Sequence, residues 1–296
     1  MNAYNIEILK QSIDDKARFD GWVFGLPPGI KANQWPLDPH TGYPLKHSFT
    51  LRLPEGYRTD ENAFAVSFFA IAVDHNDGGP EYIEGLEEAL FAEQSPDEPL
   101  FKPFWQAMQT VHPSCKFAAD TLDCYYATLL LSEAEFYGEL CSPPAIIERH
   151  FEDDVCVPEW LVEGGASCFW KMNYSQYLSL PAEEYQIYRE LGGIPPEAVS
   201  FNRAIALVAN PSDPNAGKTP SEYEDTGYID PYEGDPEWLE SVSPNHLGGT
   251  SLNGQGIPDF LTPYYIEFEE ILGGHNFGGG IGMLDLVTRE FDWSCG

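Results

Sequence analysis

Lys46-His47-Ser48-Phe49-Thr50-Leu51-Arg52-Leu53, with Ala63-Phe64-Ala65-Val66-Ser67-Phe68-Phe69-Ala70-Ile71-Ala72-Val73 after it, is the stretch on which the fold turns. In the first run His47, Phe49, Leu51 and Leu53 alternate with Lys46, Ser48, Thr50 and Arg52. That period of two places successive side chains on opposite faces of a strand. The second run is almost continuously apolar and stops at the turn sequence Asp74-His75-Asn76-Asp77-Gly78-Gly79. Together they predict an antiparallel pair with one face buried.

On the N-terminal side, residues 22–54 are punctuated by Leu26-Pro27-Pro28-Gly29, Trp35-Pro36-Leu37-Asp38-Pro39 and Thr41-Gly42-Tyr43-Pro44, a turn-filled loop feeding the first strand. Before it, Ile6, Leu9, Ile13 and Ala17 recur at spacings of three and four, which predicts a short amphipathic helix within residues 1–20. On the C-terminal side, helices are predicted over Tyr82–Gln94, Phe101–Val111 and Leu178–Leu191, and buried strands over Cys124–Leu131 and Ala204–Ala209. Residues 210–245 read as a long loop. The last segment repeats the opening grammar. His246-Leu247-Gly248-Gly249 leads to Phe260–Phe268, then to the Gly-rich run Gly273–Gly282, then to Met283-Leu284-Asp285-Leu286. Leu51 to Phe68 and Ile266 to Met283 are both 17 residues apart, a sign of internal pseudo-duplication. The predicted class is α+β, mostly antiparallel β with peripheral helices. Residues 1–296 are expected as one domain, its pseudo-repeat halves near 20–75 and 244–296 sharing a core, with a helical and loop-rich middle at 80–243.

Lys plus Arg number 15 against 48 Asp plus Glu, so the formal net charge is −33. Neutralising nucleic-acid phosphates or docking on an anionic membrane needs clustered cations, so neither is expected. At 43% hydrophobic and 14% aromatic residues, the chain is too apolar to stay disordered. The N-terminus has neither a basic segment nor an apolar one of the secretory type, and the longest apolar run falls short of a membrane span. A cytoplasmic location is the expectation. The six cysteines form no CxxC pair and are expected as buried, reduced thiols, with neither a metal nor a cofactor predicted.

No catalytic signature emerges. Gly273–Gly282 contains no Lys or Arg and leads into a strand, which favours a hairpin loop over a phosphate cradle. Gly164-Gly165-Ala166-Ser167-Cys168 is not a nucleophile elbow, and the seven histidines show no i, i+4 pair. The carboxylates are the stronger signal. Asp74–Glu98, Glu133–Glu163 and Asp213–Glu240 hold nine acidic residues each, and the last interleaves them with Tyr223, Tyr228, Tyr232 and Trp238. Aromatic anchors among charges have the composition of an interface, and an acidic surface steers and selects a basic partner. The expected partner-binding residues are Glu222, Glu224, Asp225, Asp230, Tyr232, Glu233, Asp235 and Trp238. The other reading is an enzyme or small-ligand binder with a site between the pseudo-repeats, lined by His246, Gly248, His275 and Asn276.

Gly25-Leu26-Pro27-Pro28, Trp35-Pro36 and Thr41-Gly42-Tyr43-Pro44-Leu45, with the strand that follows, resemble the opening of the YwqG-like family of bacterial proteins, a domain of unknown function. His246-Leu247-Gly248-Gly249 and Asn276-Phe277-Gly278-Gly279-Gly280 are similar to that family's H-x-LGG element and late F-G-D-x-G loop. About 80 residues at the two ends carry the likeness. The chain departs from the pattern at the first double glycine, which is Phe24-Gly25 here, at the late-loop Asp, replaced by Gly279 or Gly280, and at the first-strand Gln, which is missing. The resemblance implies a largely β fold with no established enzymatic activity. Some acidic families of this kind pair with toxins as immunity proteins, so a non-enzymatic protein that neutralises a basic partner, most concretely a toxin, is the functional expectation.

Overall fold

The structure, a computed structural model, describes residues 1–76, 79–151, 155–162, 202–220, 227–234 and 236–295. Its strands are β1 (Ala3–Ile8), β2 (Gly21–Phe24), β3 (Lys46–Arg52), β4 (Ala65–Ala70), β5 (Cys115–Ala119), β6 (Tyr125–Leu131), β7 (Asn202–Asn210), β8 (His246–Leu247), β9 (Tyr265–Glu269), β10 (Ile281–Asp285) and β11 (Phe291–Ser294). Among the described residues the helices are α1 (Leu86–Leu90), α2 (Lys102–Met108), α3 (Glu133–Phe136) and α4 (Glu159–Val162).

The two deciding runs form β3 and β4 and pair antiparallel, Leu51 opposite Val66 and Thr50 opposite Ser67, with a bulge between His47 and Phe49. Burial extends to both faces of β3, not one. The polar face is covered as well, and its groups bond to one another. Ser67 donates to Thr50 Oγ1 at 2.7 Å, Thr50 donates to His47 Nε2 at 2.9 Å, and His47 Nδ1 donates to the Gly25 carbonyl at 3.1 Å.

The predicted N-terminal helix is a strand. Backbone pairing of β1 with β7 on one side and β8 on the other overrides the helical spacing of Ile6, Leu9, Ile13 and Ala17. Tyr82–Gln94 shortens to α1 because Gly85 takes a left-handed φ of +78° just before it. Phe101–Val111 is α2, Cys124–Leu131 is β6, and Ala204–Ala209 is the middle of β7. The predicted helix Leu178–Leu191, Gly164–Cys168 and Cys168 itself lie outside the described residues. Burial of the thiols holds for Cys124, whereas Cys115 and Cys141 are half-buried and Cys156 and Cys295 exposed.

The eleven strands of the described residues join one antiparallel sheet in the order β11-β10-β9-β8-β1-β7-β2-β3-β4-β6-β5. Its centre is an exchange. β1, from the N-terminus, leads the late meander β8-β9-β10-β11, and β7, from late in the chain, leads the early meander β2-β3-β4-β6. Val23 of β2 pairs with Phe49 and Leu247 of β8 with Ile266, and left-handed residues stand where each of these strands ends, Phe24-Gly25 and Gly248-Gly249.

The sheet curls until its edges face each other, a nearly closed barrel. Side chains span the remaining seam. Lys116 Nζ donates to the Thr288 carbonyl at 2.5 Å, Arg289 to the Ser114 carbonyl at 2.7 Å, and Trp293 Nε1 to Asp120 Oδ2 at 2.6 Å. Inside, Phe49 and Phe68 meet Phe268 and Phe291 of the late half at centroid distances of 5.0–5.6 Å. The Tyr126 ring lies tilted against Phe291, 4.2 Å between centroids. The two meanders therefore share one aromatic core.

Candidate functional site

The expected partner-binding segment is only partly described: Glu222, Glu224, Asp225 and Asp235 lie outside the described residues. Asp230 and Glu233 are exposed, and Asp230 Oδ1 accepts from the Tyr232 amide at 2.7 Å. Tyr232 is 61% exposed with its hydroxyl on the Leu252 carbonyl at 2.5 Å, and Trp238 is half-buried in a 3-10 turn over Glu237–Ser241. The start of the segment is structural. Asp213 is buried and accepts from the Thr250 amide and hydroxyl, while Asn215 bonds the backbone of Ile229 in both directions.

His246 and His275 are both buried but are not brought together. His246 stands opposite Glu267 of β9 and beside Tyr265, whereas His275 packs on Phe268 and Phe277. Glu267 and Phe268 are adjacent in a strand, so the two histidines lie on opposite faces of the sheet. Gly248 is enclosed by the Tyr57 hydroxyl, and Asn276 exchanges hydrogen bonds with Asn76 at 3.3 Å. The Gly-rich run is the β9–β10 hairpin loop, with left-handed Gly273, Gly274, Gly278 and Gly279. Two of its carbonyls, Gly273 and Gly274, accept from the buried Lys46 ammonium, which reaches across from β3.

Convergence occurs elsewhere. A cleft of about 780 Å³ lies where the turn before β3, α1 and the β5–β6 turn meet. It is lined by Glu81, Glu84, Glu87, Glu88 and Asp123, with His40, Tyr82 and Leu122, and among the described residues by no Lys or Arg. Three local structures hold it. In the first turn, buried Asp38 accepts from the His40 amide at 3.1 Å and the Thr41 hydroxyl at 2.6 Å. The strand-like approach to α1 is tied to that turn by the Ile83 amide, which donates to the His40 carbonyl at 2.9 Å. The β5–β6 turn is clamped by Asp120, whose Oδ1 accepts the amides of Leu122 and Cys124, and Asp123 takes a left-handed φ of +68° within it.

At the floor, His40 is buried and its Nε2 sits 2.7 Å from the Asp123 carbonyl. A carbonyl only accepts, so Nε2 carries the proton. Glu87 Oε2 lies 3.6 Å from His40 Nδ1, while Glu87 Oε1 accepts from the Tyr125 hydroxyl at 2.6 Å. Burial and that Glu87 bond push the Tyr125 phenol up, which keeps it a donor. The Tyr125 ring packs against the His40 ring, 5.1 Å between centroids. Burial raises the Asp38 carboxyl above its ordinary value, opposed by its bond from Thr41. The rim is solvent-facing: Glu81, Glu84, Glu88 and Asp123 are exposed, as are Tyr82 at 66% and Leu122 at 43%.

The acidic density of Asp74–Glu98 is plain in the sequence, but nothing there marks His40 or Asp123 as its neighbours. His40 sits in a loop read as turn material, and Asp123 falls between the first and second acidic stretches. Only the curl of the sheet, which carries the β5–β6 turn beside α1, joins them.

Fold and site define a nearly closed antiparallel β-sheet protein with an acidic, aromatic-edged cleft on one flank. Comparison with protein-family models, curated proteins and solved structures found no match. Among the described residues no helix is long and apolar enough to cross a membrane.

Proposed function

We propose that the protein binds a basic protein partner without chemically altering it, and that the acidic cleft receives the partner's Lys or Arg side chains. The observation that carries this reading is the gathering of five carboxylates around exposed Tyr82 and Leu122 with no Lys or Arg among the described lining residues. The chain's formal charge of −33 supplies the long-range attraction, and the cleft supplies the local complement. Tyr82 provides apolar area beside the charges, the arrangement of an interface anchor. Asp230, Tyr232 and Glu233 offer a second exposed acidic and aromatic surface in the same role. The resemblance to the YwqG-like family, and the pairing of some acidic families with toxins, make an immunity protein against a bacterial toxin the most concrete form of this proposal.

The test is capture of partners by the tagged full chain from its native lysate at low and at high salt, with identification by mass spectrometry. One stoichiometric basic protein, retained at low salt and released at high salt, is expected. Recovery of nothing, or of a partner indifferent to salt, contradicts the reading.

A further inference from the structure

We propose that His40, Glu87 and Asp123 form a binding site for one divalent transition-metal ion of the zinc class at the floor of the cleft. One ligand atom from each residue lies within 4.8 Å of the other two. Zinc bonds of about 2.0–2.2 Å in a tetrahedron set neighbouring ligand atoms roughly 3.4 Å apart. The His40 Nδ1 to Glu87 Oε2 separation of 3.6 Å is already close to that edge. The Asp123 carboxylate, on an exposed turn, closes the triangle by a side-chain rotation of the kind exposed residues make freely.

The hydrogen bonds around the triad point the same way and do not depend on its carboxylates being clustered. His40 donates its Nε2–H to the Asp123 carbonyl, which fixes the buried ring with its Nδ1 edge toward the Glu87 carboxylate. At 3.6 Å the Nδ1 and Oε2 atoms stand farther apart than a direct hydrogen bond and close to the separation that a shared ion sets between its ligands. Backbone carbonyls and hydroxyls that fix the far side of a ligand are the usual supports of a bound metal. Here the Asp123 carbonyl orients His40, and the Tyr125 hydroxyl orients Glu87 by holding Oε1 and leaving Oε2 to the site. An imidazole nitrogen among the ligands favours zinc-like ions over Ca²⁺ and Mg²⁺, which take oxygen. The open cleft leaves the fourth position to water or to a ligand atom from outside.

The test is a titration of the full chain with ZnCl₂ by calorimetry, in excess Mg²⁺ so that the other carboxylates are saturated, followed by dialysis and metal analysis. One Zn²⁺ per chain is expected, with affinity at least tenfold weaker in Glu87→Gln and in His40→Ala. Because His40 is buried and His40→Ala can fail to fold, the histidine ring signals of the unmodified protein give a second readout. Zn²⁺ should perturb His40 among the seven histidines, and Co²⁺ should broaden it first. Substoichiometric binding, wild-type affinity in Glu87→Gln, or perturbation of a different histidine overturns the proposal. None of these outcomes depends on whether a protein partner is captured.

Discussion

His47 shows how a single polar residue is made part of the interior. It sits on β3 with both ring nitrogens engaged, and burial drives its pKa down to about 3, only partly offset by its bond to the Gly25 carbonyl. A histidine whose folded pKa lies below its unfolded value of about 6.5 loses stability as pH falls through 6.5, because the unfolded chain then takes up a proton that the folded one refuses. Between pH 7 and pH 5 this single group costs about 2 kcal/mol. His47→Gln removes it, so urea midpoints measured at both pH values should fall less on acidification in the variant, by that amount. Gly248 makes the opposite point about the backbone. At φ +62° a Cβ there would come within 2.0 Å of the Tyr57 hydroxyl, which is itself bonded to the carbonyls of Asn2 and Leu247. Left-handed strain of about 1–2 kcal/mol and displacement of a fully buried tyrosine together give Gly248→Ala an expected loss of at least ~3 kcal/mol, readable as a fall in the urea midpoint at constant slope.

Among the elements, the seam between β5 and β11 is held by side chains where the rest of the barrel is held by ladders. Asp120 is its keystone: one oxygen accepts two turn amides, the other accepts Tyr126 and Trp293. Asp120→Ala leaves those donors without their acceptor, an expected cost of about 3 kcal/mol or more. Hydrogen exchange should quicken first in Phe291–Ser294, because β11 has a backbone partner on one side only. The core strands were legible from the sequence because β3, β4, β6 and β7 are local runs of period two or continuous apolar character. The N-terminal strand was not, because Ile6, Leu9 and Ile13 fit a helix on paper. The competing alternation in Tyr4-Asn5-Ile6-Glu7-Ile8 gains its weight only from partners roughly two hundred residues away. The candidate site was half legible for the same reason. Acidic density around α1 is written in one segment, whereas His40 and Asp123 reach it through the curl of the sheet.

At the scale of the whole molecule, the exchange of β1 and β7 locks the two meanders into one sheet, and the shared aromatic interior leaves polar work to the flanks. The cleft sits on one such flank, and its Glu81, Glu84, Glu88 and Asp123 are exposed, with no Lys or Arg among the described lining residues. Three exposed charges reversed there should weaken association with a basic partner by at least tenfold, or about 1.4 kcal/mol, and flatten its dependence on salt. The most direct measurement is the affinity of the captured partner, across a range of ionic strength, for the unmodified chain, for the Glu81→Lys, Glu84→Lys, Glu88→Lys variant, and for an Asp230→Lys, Glu233→Lys variant. The account predicts the large loss and the flattened salt slope in the cleft variant, with a smaller loss in the other. Unchanged affinity and salt slope in the cleft variant would contradict it.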